Sequence, residues 1–337
     1  MTEQAIEADE SMQPLFTLAE LDGAVGLLRE YFPETPAIHW PLLSESLGAD
    51  VVVKHENCTP TGAFKVRGGL VFMDRLRRRQ ADLRGVMSAS VGNHGLSLGY
   101  AGQIMGVPVT IVVPEGTEPD RIAALQATQA NVIVHGHDFE AARLHSVALS
   151  ERDGLELVPP FHPDLVLGVA TYARELFDRS GPLDAVIVPV GMGSGIVGLI
   201  TTRDLLGLDT QIIGAGADGA PTQRLSFEAG RVVPTETADT FAAGVATRQP
   251  DPLAAAIVRS GAVDVLTVSD DDIAEAIRLL WRTTHHLAEP AGAVATAVLN
   301  EHRDRWAGQR VGVILSGSIM NTALAATILS GGTHQSA

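Results

Sequence analysis

"PTGAFKVRGG", Pro60–Gly69, holds one of only two lysines in a chain whose other 22 basic residues are arginine; the second is Lys54. Arginine stays protonated in proteins, so a lysine kept among arginines points to a place that needs a primary amine able to lose its proton. Two lysines that survived a coding bias by chance would give the same count, so the surroundings have to decide. The stretch comes after a strand-like apolar run, "DVVVKH" (Asp50–His55), and a turn-like "ENCTPTG". It opens a helical pattern over about Phe64–Gln80, with Thr61 expected as the N-cap. Lys65 then falls on the first turn of a helix, where the positive end of the dipole favours a neutral amine fit for a Schiff base or for general-base work. Lys54, inside the strand pattern, is expected to send its stem to solvent.

Outward from this stretch, short apolar runs alternate with helical patterns. Strands are expected at Asp50–His55, Gly85–Ser88, Val107–Val113, Asn131–Val134, Ala185–Val190, Gln211–Ala215, Val263–Val268 and Val311–Leu315. Helices are expected at about Phe64–Gln80, His94–Met105, Pro119–Thr128, Phe139–Glu151, Ala170–Arg179, Ile196–Leu206 and Asp271–His286. Such alternation, with strands apolar on both faces, predicts parallel sheets covered by helices. No linker interrupts it, so a second domain is expected as an insertion in the first.

The 337 residues suit one large domain or two ordinary ones, and 45% apolar with 19% charged residues is ordinary for a globular protein. A net charge of −16 disfavours nucleic acid or an anionic membrane as partner. Arg75, Arg77, Arg78 and Arg79 form the one basic cluster, read as a solvated helix end. The single cysteine, Cys58, excludes an internal disulfide and fits a reducing, cytoplasmic setting. The opening "MTEQAIEADESM" is too acidic for a secretory signal. The uncharged run Val311–Gly332 has the length of a membrane span, but "SGS" and Asn321 break it, so Val311–Leu315 is read as a buried strand instead.

Three further segments carry chemistry. In "SASVGNHG" (Ser88–Gly95) a strand ends and a helix begins near His94. Its open N–H groups, with Ser90 and Asn93, suit a carboxylate or phosphate, although a capped loop without a ligand reads equally well. In "PVGMGSGIVG" (Pro189–Gly198) a buried strand runs into alternating glycines and a helix, a phosphate-cradling arrangement. "GSGIVG" also matches G-x-G-x-x-G, and Asp218 ends the next strand, so a nicotinamide-dependent oxidoreductase stays open at this point. "VILSGSIMN" places Ser316 just after a strand, by itself an ordinary turn residue. Of the weaker candidates, His135, His137 and Asp138 lack further metal-ligand spacing, and His285-His286 is an ordinary helix end. Glu289, ahead of Pro290 and a small-residue helix, divides evenly between a pocket and a structural role.

In this order the segments resemble the fold-type II pyridoxal phosphate (PLP) enzymes, specifically the serine/threonine dehydratase group that includes serine racemase and threonine deaminase. The likeness rests on T-G-x-F-K-x-R-G (Thr61–Gly68), S-x-G-N-H (Ser90–His94), the glycine loop, and S-G after the last strand (Ser316-Gly317), and it spreads from Thr35-Pro36 to Asn321. It implies an α/β protein of two domains, each an open, mostly parallel sheet flanked by helices, with PLP in the cleft between them, as in the tryptophan synthase β chain. Residues 1–84 plus 163–337 would form the large PLP-binding domain and 85–162 the small inserted one. Lys65 would hold PLP and take the substrate Cα proton, with Phe64 and Asn93 flanking the cofactor ring. Gly191, Met192, Gly193, Ser194 and Gly195 would cradle its phosphate, and Ser316 would meet its pyridine nitrogen. Ser90, Val91, Gly92, Asn93 and His94 would bind the substrate carboxylate; Glu289 and Gly244 are further candidates.

A serine against the ring nitrogen does not force its protonation as an aspartate would, so the cofactor is a weaker electron sink that suits β-elimination better than transamination. The resemblance therefore implies a carbon–nitrogen lyase of amino-acid catabolism, a serine or threonine dehydratase acting on L-threonine or L-serine, and a cytoplasmic homodimer. Elimination on 3-hydroxyaspartate or phenylserine is the alternative. Departures from the pattern carry expectations of their own. Val91 stands where related racemases carry a second proton-moving serine, so little racemase activity is expected. Gly216 and Thr222 stand where that branch carries metal-binding carboxylates, so no required divalent metal is expected. "GVAT" (Gly168–Thr171) replaces Gly-Gln-Gly-Thr and Ile319 replaces an asparagine, both expected near the cofactor. No appended regulatory domain is expected.

Overall fold

The computed structural model describes residues 14–333, so the acidic opening "MTEQAIEADESM" lies outside the described residues. In chain order the strands are β1 (Ala37–His39), β2 (Asp50–His55), β3 (Val86–Ala89), β4 (Val109–Val113), β5 (Asn131–Val134), β6 (Glu156–Leu157), β7 (Ala185–Pro189), β8 (Gln211–Ala217), β9 (Asp264–Val268) and β10 (Arg310–Leu315). The helices are α1 (Leu18–Arg29), α2 (Pro41–Leu47), α3 (Lys65–Arg79), α4 (Asn93–Met105), α5 (Pro119–Ala127), α6 (Phe139–Asp153), α7 (Pro163–Ser180), α8 (Ser194–Leu205), α9 (Thr222–Ala229), α10 (Pro252–Gly261), α11 (Asp270–Thr284), α12 (Pro290–Glu301) and α13 (Thr322–Leu329). They build a six-stranded sheet in the order β1-β2-β10-β7-β8-β9 and a four-stranded sheet in the order β5-β4-β3-β6. Every pairing is parallel except β1 with β2, as the doubly apolar strands predict.

All eight expected strands form. The two that periodicity missed, β1 and β6, are three and two residues long, too short to show alternation. α7 begins at Pro163, seven positions before the expected Ala170, because Pro163 takes the first helical position behind His162, whose ring accepts from the Asp164 N–H at 3.1 Å. α1 is a further helix that periodicity missed, although Thr17 and Glu20 form a capping box at its start. The run Val311–Gly332 resolves into β10, a loop and α13, and among the described residues no helix is long and apolar enough to cross a membrane.

The Gly68-Gly69 pair has a packing reason. A Cβ at Gly69 would sit 2.2 Å from Ser97 Oγ on α4, and one at Gly68 would sit 2.8 Å from the Leu165 carbonyl on α7. α7 answers with Gly168, whose Cβ would lie 2.3 Å from the Arg67 carbonyl. Glycine on both sides lets α3 lie close against two helices at once. The segment Gly168–Thr171, expected near the cofactor, is a turn of α7 packed behind α3, where the Thr171 hydroxyl accepts from Arg67 Nη1 at 3.0 Å.

Lys54 also departs from expectation. β2 is a central strand, and Lys54 is 0% exposed. Its amine donates to Glu175 Oε2 at 2.6 Å and to the Thr35 carbonyl at 2.8 Å. Arg67 completes a buried knot: its Nε and Nη2 reach Glu56 at 2.7 and 3.0 Å, and its Nη1 and Nη2 each reach Glu175 at 2.8 Å. Two cations thus meet two carboxylates with their hydrogens directed at acceptors, the condition under which buried charge is tolerated. Burial alone would raise the Glu175 carboxyl, but Arg67 and Lys54 hold it below the ordinary carboxylate value. The expected solvated arginine cluster is partly paired as well. Arg75 reaches Asp164 at 2.8 Å and Glu20 at 2.7 Å, and Arg79 reaches Asp164 at 2.6 Å, which ties α3 to α7 and α1; Arg77 and Arg78 are exposed.

Candidate active site

The C-terminal ends of the parallel strands, with the helix starts behind them, surround a cleft of about 570 Å³. Every position that the sequence marked for cofactor, substrate or further roles, from Phe64 to Ser316, lines it or forms its rim. Lys65 enters from the first residue of α3. The helix has no side-chain cap: Phe64 is the N-cap, and Thr61, the expected cap, instead points its hydroxyl at the Ala63 carbonyl, 3.4 Å away. Main-chain pairing holds the segment in place. The Phe64 N–H donates to the Ser316 carbonyl at 3.0 Å, the Ser318 N–H donates to the Gly62 carbonyl at 3.0 Å, and Ala63 bridges Gly317. Ser97 Oγ donates to the Lys65 carbonyl at 2.6 Å.

The Lys65 amine meets Ser194 Oγ at 3.4 Å and has no carboxylate partner among the described residues. Burial lowers its pKa to about 8, toward the neutral amine the sequence called for. His94, on the first turn of α4, is pushed down to about 3 by burial and by the nearby Lys65 amine, and its buried Nε2 has no hydrogen-bond partner among the described residues. Ser90 Oγ accepts the Gly92 and Gly95 N–H groups at 3.3 and 3.0 Å, and so shapes the turn before α4 from outside it. Asn93 Nδ2 donates to Glu289 Oε1 at 2.8 Å. Burial raises the Glu289 carboxyl to about 7 despite that hydrogen bond, so Glu289 belongs to the cleft and not to a structural ion pair.

Opposite Lys65 lies the glycine loop between β7 and α8. Gly193 is its left-handed N-cap (φ 102°), and the first N–H groups of α8 have no intrahelical acceptor. A Cβ at Gly191 would lie 2.3 Å from the Gly244 carbonyl, and one at Gly193 would lie 2.8 Å from Ala254 Cβ. The loop therefore admits backbone alone and presents N–H groups at a positive dipole end, a cradle shaped for a phosphate. Tyr172 supports it from behind, donating to the Gly195 carbonyl at 3.0 Å, and Gln223 donates to the Gly191 carbonyl. An anion cradle, an amine of lowered pKa, an orphaned imidazole nitrogen and the buried Ser316 hydroxyl together fit a phosphorylated aldehyde cofactor.

Sequence reading missed Glu115, Glu118, Arg121, Phe241 and Met320 on the cleft wall, and the supporting Tyr172 and Gln223. These carry no local motif; only the fold brings them together. Ile319, noted as a departure, does line the cleft. Of the weaker metal candidates, His135 stacks on His145 with ring centroids 3.6 Å apart, and Asp138 caps α6, accepting from the Ala141 N–H at 2.8 Å. Asp218 is exposed at the end of β8, where its N–H meets the Val268 carbonyl at 2.8 Å.

Comparison with known proteins agrees with this geometry. An L-threo-3-hydroxyaspartate ammonia-lyase of Saccharomyces cerevisiae is 30% identical over 316 residues, covering 94% of this chain and 97% of that protein. An L-threonine ammonia-lyase of Geobacter sulfurreducens is 34% identical over 310 residues, covering 91% of this chain and 76% of that protein. The processed form of threonine deaminase isoform 2 from Solanum lycopersicum superposes with a TM-score of 0.89 at 29% identity, covering 98% of this chain and 97% of that one. Residues 28–317 match the family described as pyridoxal-phosphate dependent enzyme, and to that family, with pyridoxal phosphate as its cofactor, this chain belongs.

Proposed function

We propose that the protein is an ammonia-lyase that eliminates water from neutral β-hydroxy amino acids, L-threonine and L-serine; the enamine released takes up water again and hydrolyses to a 2-keto acid and ammonia. The observation that carries this reading is Lys65: an amine lowered to about 8, facing a glycine-only cradle and the start of α4. Pyridoxal phosphate, when bound, supplies the electron sink that acidifies the substrate Cα–H. The residues divide the remaining work. N–H groups of Gly193–Gly195 and the Ser194 hydroxyl would hold the cofactor phosphate; Ser316 would meet its ring nitrogen, and Phe64 and Asn93 would flank its ring. The turn Ser90–His94 binds the substrate carboxylate at the positive end of α4. Lys65, largely unprotonated at mildly alkaline pH, takes the Cα proton. His94 is held neutral and offers Nε2 at that turn. Val91 has no exchangeable proton, so the second face of Cα is not served and racemisation stays minor.

The charge of the cleft favours a neutral substrate side chain. Glu115 and Glu118, with Glu289 only partly ionised near neutral pH, line it against Lys65 and Arg121. Arg121 is held by Glu118 at 3.2 Å and by the Val91 carbonyl at 3.1 Å. Ile319 and Met320 add apolar wall. A second substrate carboxylate would therefore meet repulsion, which separates this chain from the relatives named for 3-hydroxyaspartate. We also infer that residues 85–162, which contain the whole four-stranded sheet, form the smaller domain of a cytoplasmic homodimer. The test is 2-keto acid release across L-threonine, L-serine, L-threo-3-hydroxyaspartate and phenylserine. We expect kcat/KM for threonine to exceed that for 3-hydroxyaspartate at least about tenfold, a difference of ~1.4 kcal/mol. The reverse order refutes the neutral-substrate reading, and release from none of the four refutes the lyase.

A further inference from the structure

Outside the cleft, the turn that leaves β2 meets the segment between α11 and α12. Donor atoms of His55, Cys58 and His286 all lie within 4.8 Å of one another. His55 is buried at the end of β2, His286 is half-buried, and Cys58, the only cysteine of the chain, is exposed. The two imidazole rings are tilted against each other with centroids 4.3 Å apart. The Asn57 carboxamide spans them, its Oδ1 3.3 Å from His55 Nδ1 and its Nδ2 3.2 Å from His286 Nδ1. The Trp40 indole N–H donates to His55 Nε2 at 2.9 Å. None of these residues lines the cleft. Two imidazoles and a thiol converging from two separate segments are not required by either segment's backbone.

We propose that His55, Cys58 and His286 bind one divalent cation of borderline softness, Zn²⁺ by preference, with solvent completing the coordination. The donor set decides the class of metal. Two nitrogens and one sulfur suit Zn²⁺ and its neighbours, whereas Mg²⁺ and Ca²⁺ require oxygen ligands. The Cys58 thiol proton passes to water as the sulfur–metal bond forms. Asn57 or Trp40 gives up a hydrogen bond to a ring nitrogen in the same step, so binding is reversible and weaker than at a closed structural site. Its mechanical effect comes from sequence position. Cys58 lies seven residues before Lys65, and His286 lies three before Glu289. The cation joins the approaches to two cleft walls from outside the cleft; it takes no part in turnover.

The single cysteine makes the test site-specific. The cofactor-loaded enzyme is reacted with a thiol–disulfide reagent, with and without Zn²⁺ at one equivalent per chain. Zn²⁺ should slow modification at least about tenfold and raise the melting temperature, EDTA should reverse both, and Mg²⁺ should do neither. His286→Asn should abolish the protection while leaving the metal-free rate within about twofold; His145→Asn, on α6, should keep it. An unchanged thiol rate in the wild-type protein overturns the proposal without reference to any variant. Protection that survives in His286→Asn overturns it too, because Cys58 would then be binding Zn²⁺ without the second imidazole.

Discussion

The two lysines of this chain are both enclosed, eleven residues apart, and their surroundings are opposite in kind. Lys54 sits in a knot where two cations meet two carboxylates and a threonine carbonyl fills the remaining direction. Among the described residues Lys65 has one weak polar contact, Ser194 Oγ at 3.4 Å, and no counter-charge. Burial lowers the pKa of both amines, but in the knot the Glu56 and Glu175 carboxylates oppose that shift, whereas in the cleft burial acts on Lys65 alone. The same contrast divides the carboxyl groups: Glu175 in the knot is held low, and Glu289 in the cleft is raised to about 7. Arg67 and Lys65 share one turn of α3, so a single helix start anchors the scaffold on one side and presents the reactive group on the other. Burial is thus not what marks a functional lysine; burial without a partner is.

The largest effect expected of this contrast is on turnover. Lys65→Ala and Lys65→Arg should each lower keto-acid release by about 10³-fold or more and abolish the borohydride-sensitive absorbance of the bound cofactor, with the unfolding midpoint unchanged or raised. Lys65→Arg with substantial activity would break the comparison, since arginine keeps the charge but not the chemistry. Next, Lys54→Met should cost about 3 kcal/mol in urea unfolding, because Glu175 loses one of its two cations, with kcat of the folded enzyme kept. A kcat loss matching that of Lys65→Ala would erase the distinction between the two lysines. The smallest effect is in pH dependence. Glu289 has a folded pKa above the ordinary 4.5, so the folded state binds its proton more tightly and stability falls as pH rises from 4.5 through about 7. Glu175, with a lowered folded pKa, works in the opposite sense and loses stability as pH falls below the ordinary carboxylate value. Glu289→Gln should remove the first slope, about 1–2 kcal/mol between pH 5 and pH 8 by urea unfolding, and leave the acid-side loss in place.

The sheets were legible because β2, β7, β8 and β10 are buried on both faces and therefore read as unbroken apolar runs. The glycine loop and the Ser90–His94 turn were legible because a strand end, glycines and a helix start leave a local pattern. Lys54 was misread for the converse reason. Its neighbours at Val51–Val53 gave the strand, but the partners that make a buried ammonium tolerable, Glu175 and Thr35, lie 121 and 19 residues away. Thr61 was misread because Phe64 and its neighbours are positioned by pairing with Ser316–Ser318, a contact across most of the chain. Glu289 gave half a signal, a carboxylate ahead of Pro290, and needed Asn93 beside it to declare its place. Arg121, Phe241 and Met320 reach the cleft from loops and helix ends whose sequence is unremarkable, so only tertiary structure could assign them.

The enclosure of Lys54 has a practical consequence for chemical labelling. With the only other side-chain amine set in the cleft, the outer surface of the described chain displays its cations as guanidinium groups and imidazoles, with no ammonium among them. Reagents selective for side-chain amines, amine-directed cross-linkers and enzymes that modify lysine side chains find no target on that surface. Any side-chain amine that does react reports on one address, and the extent of its labelling measures how far the cleft is open.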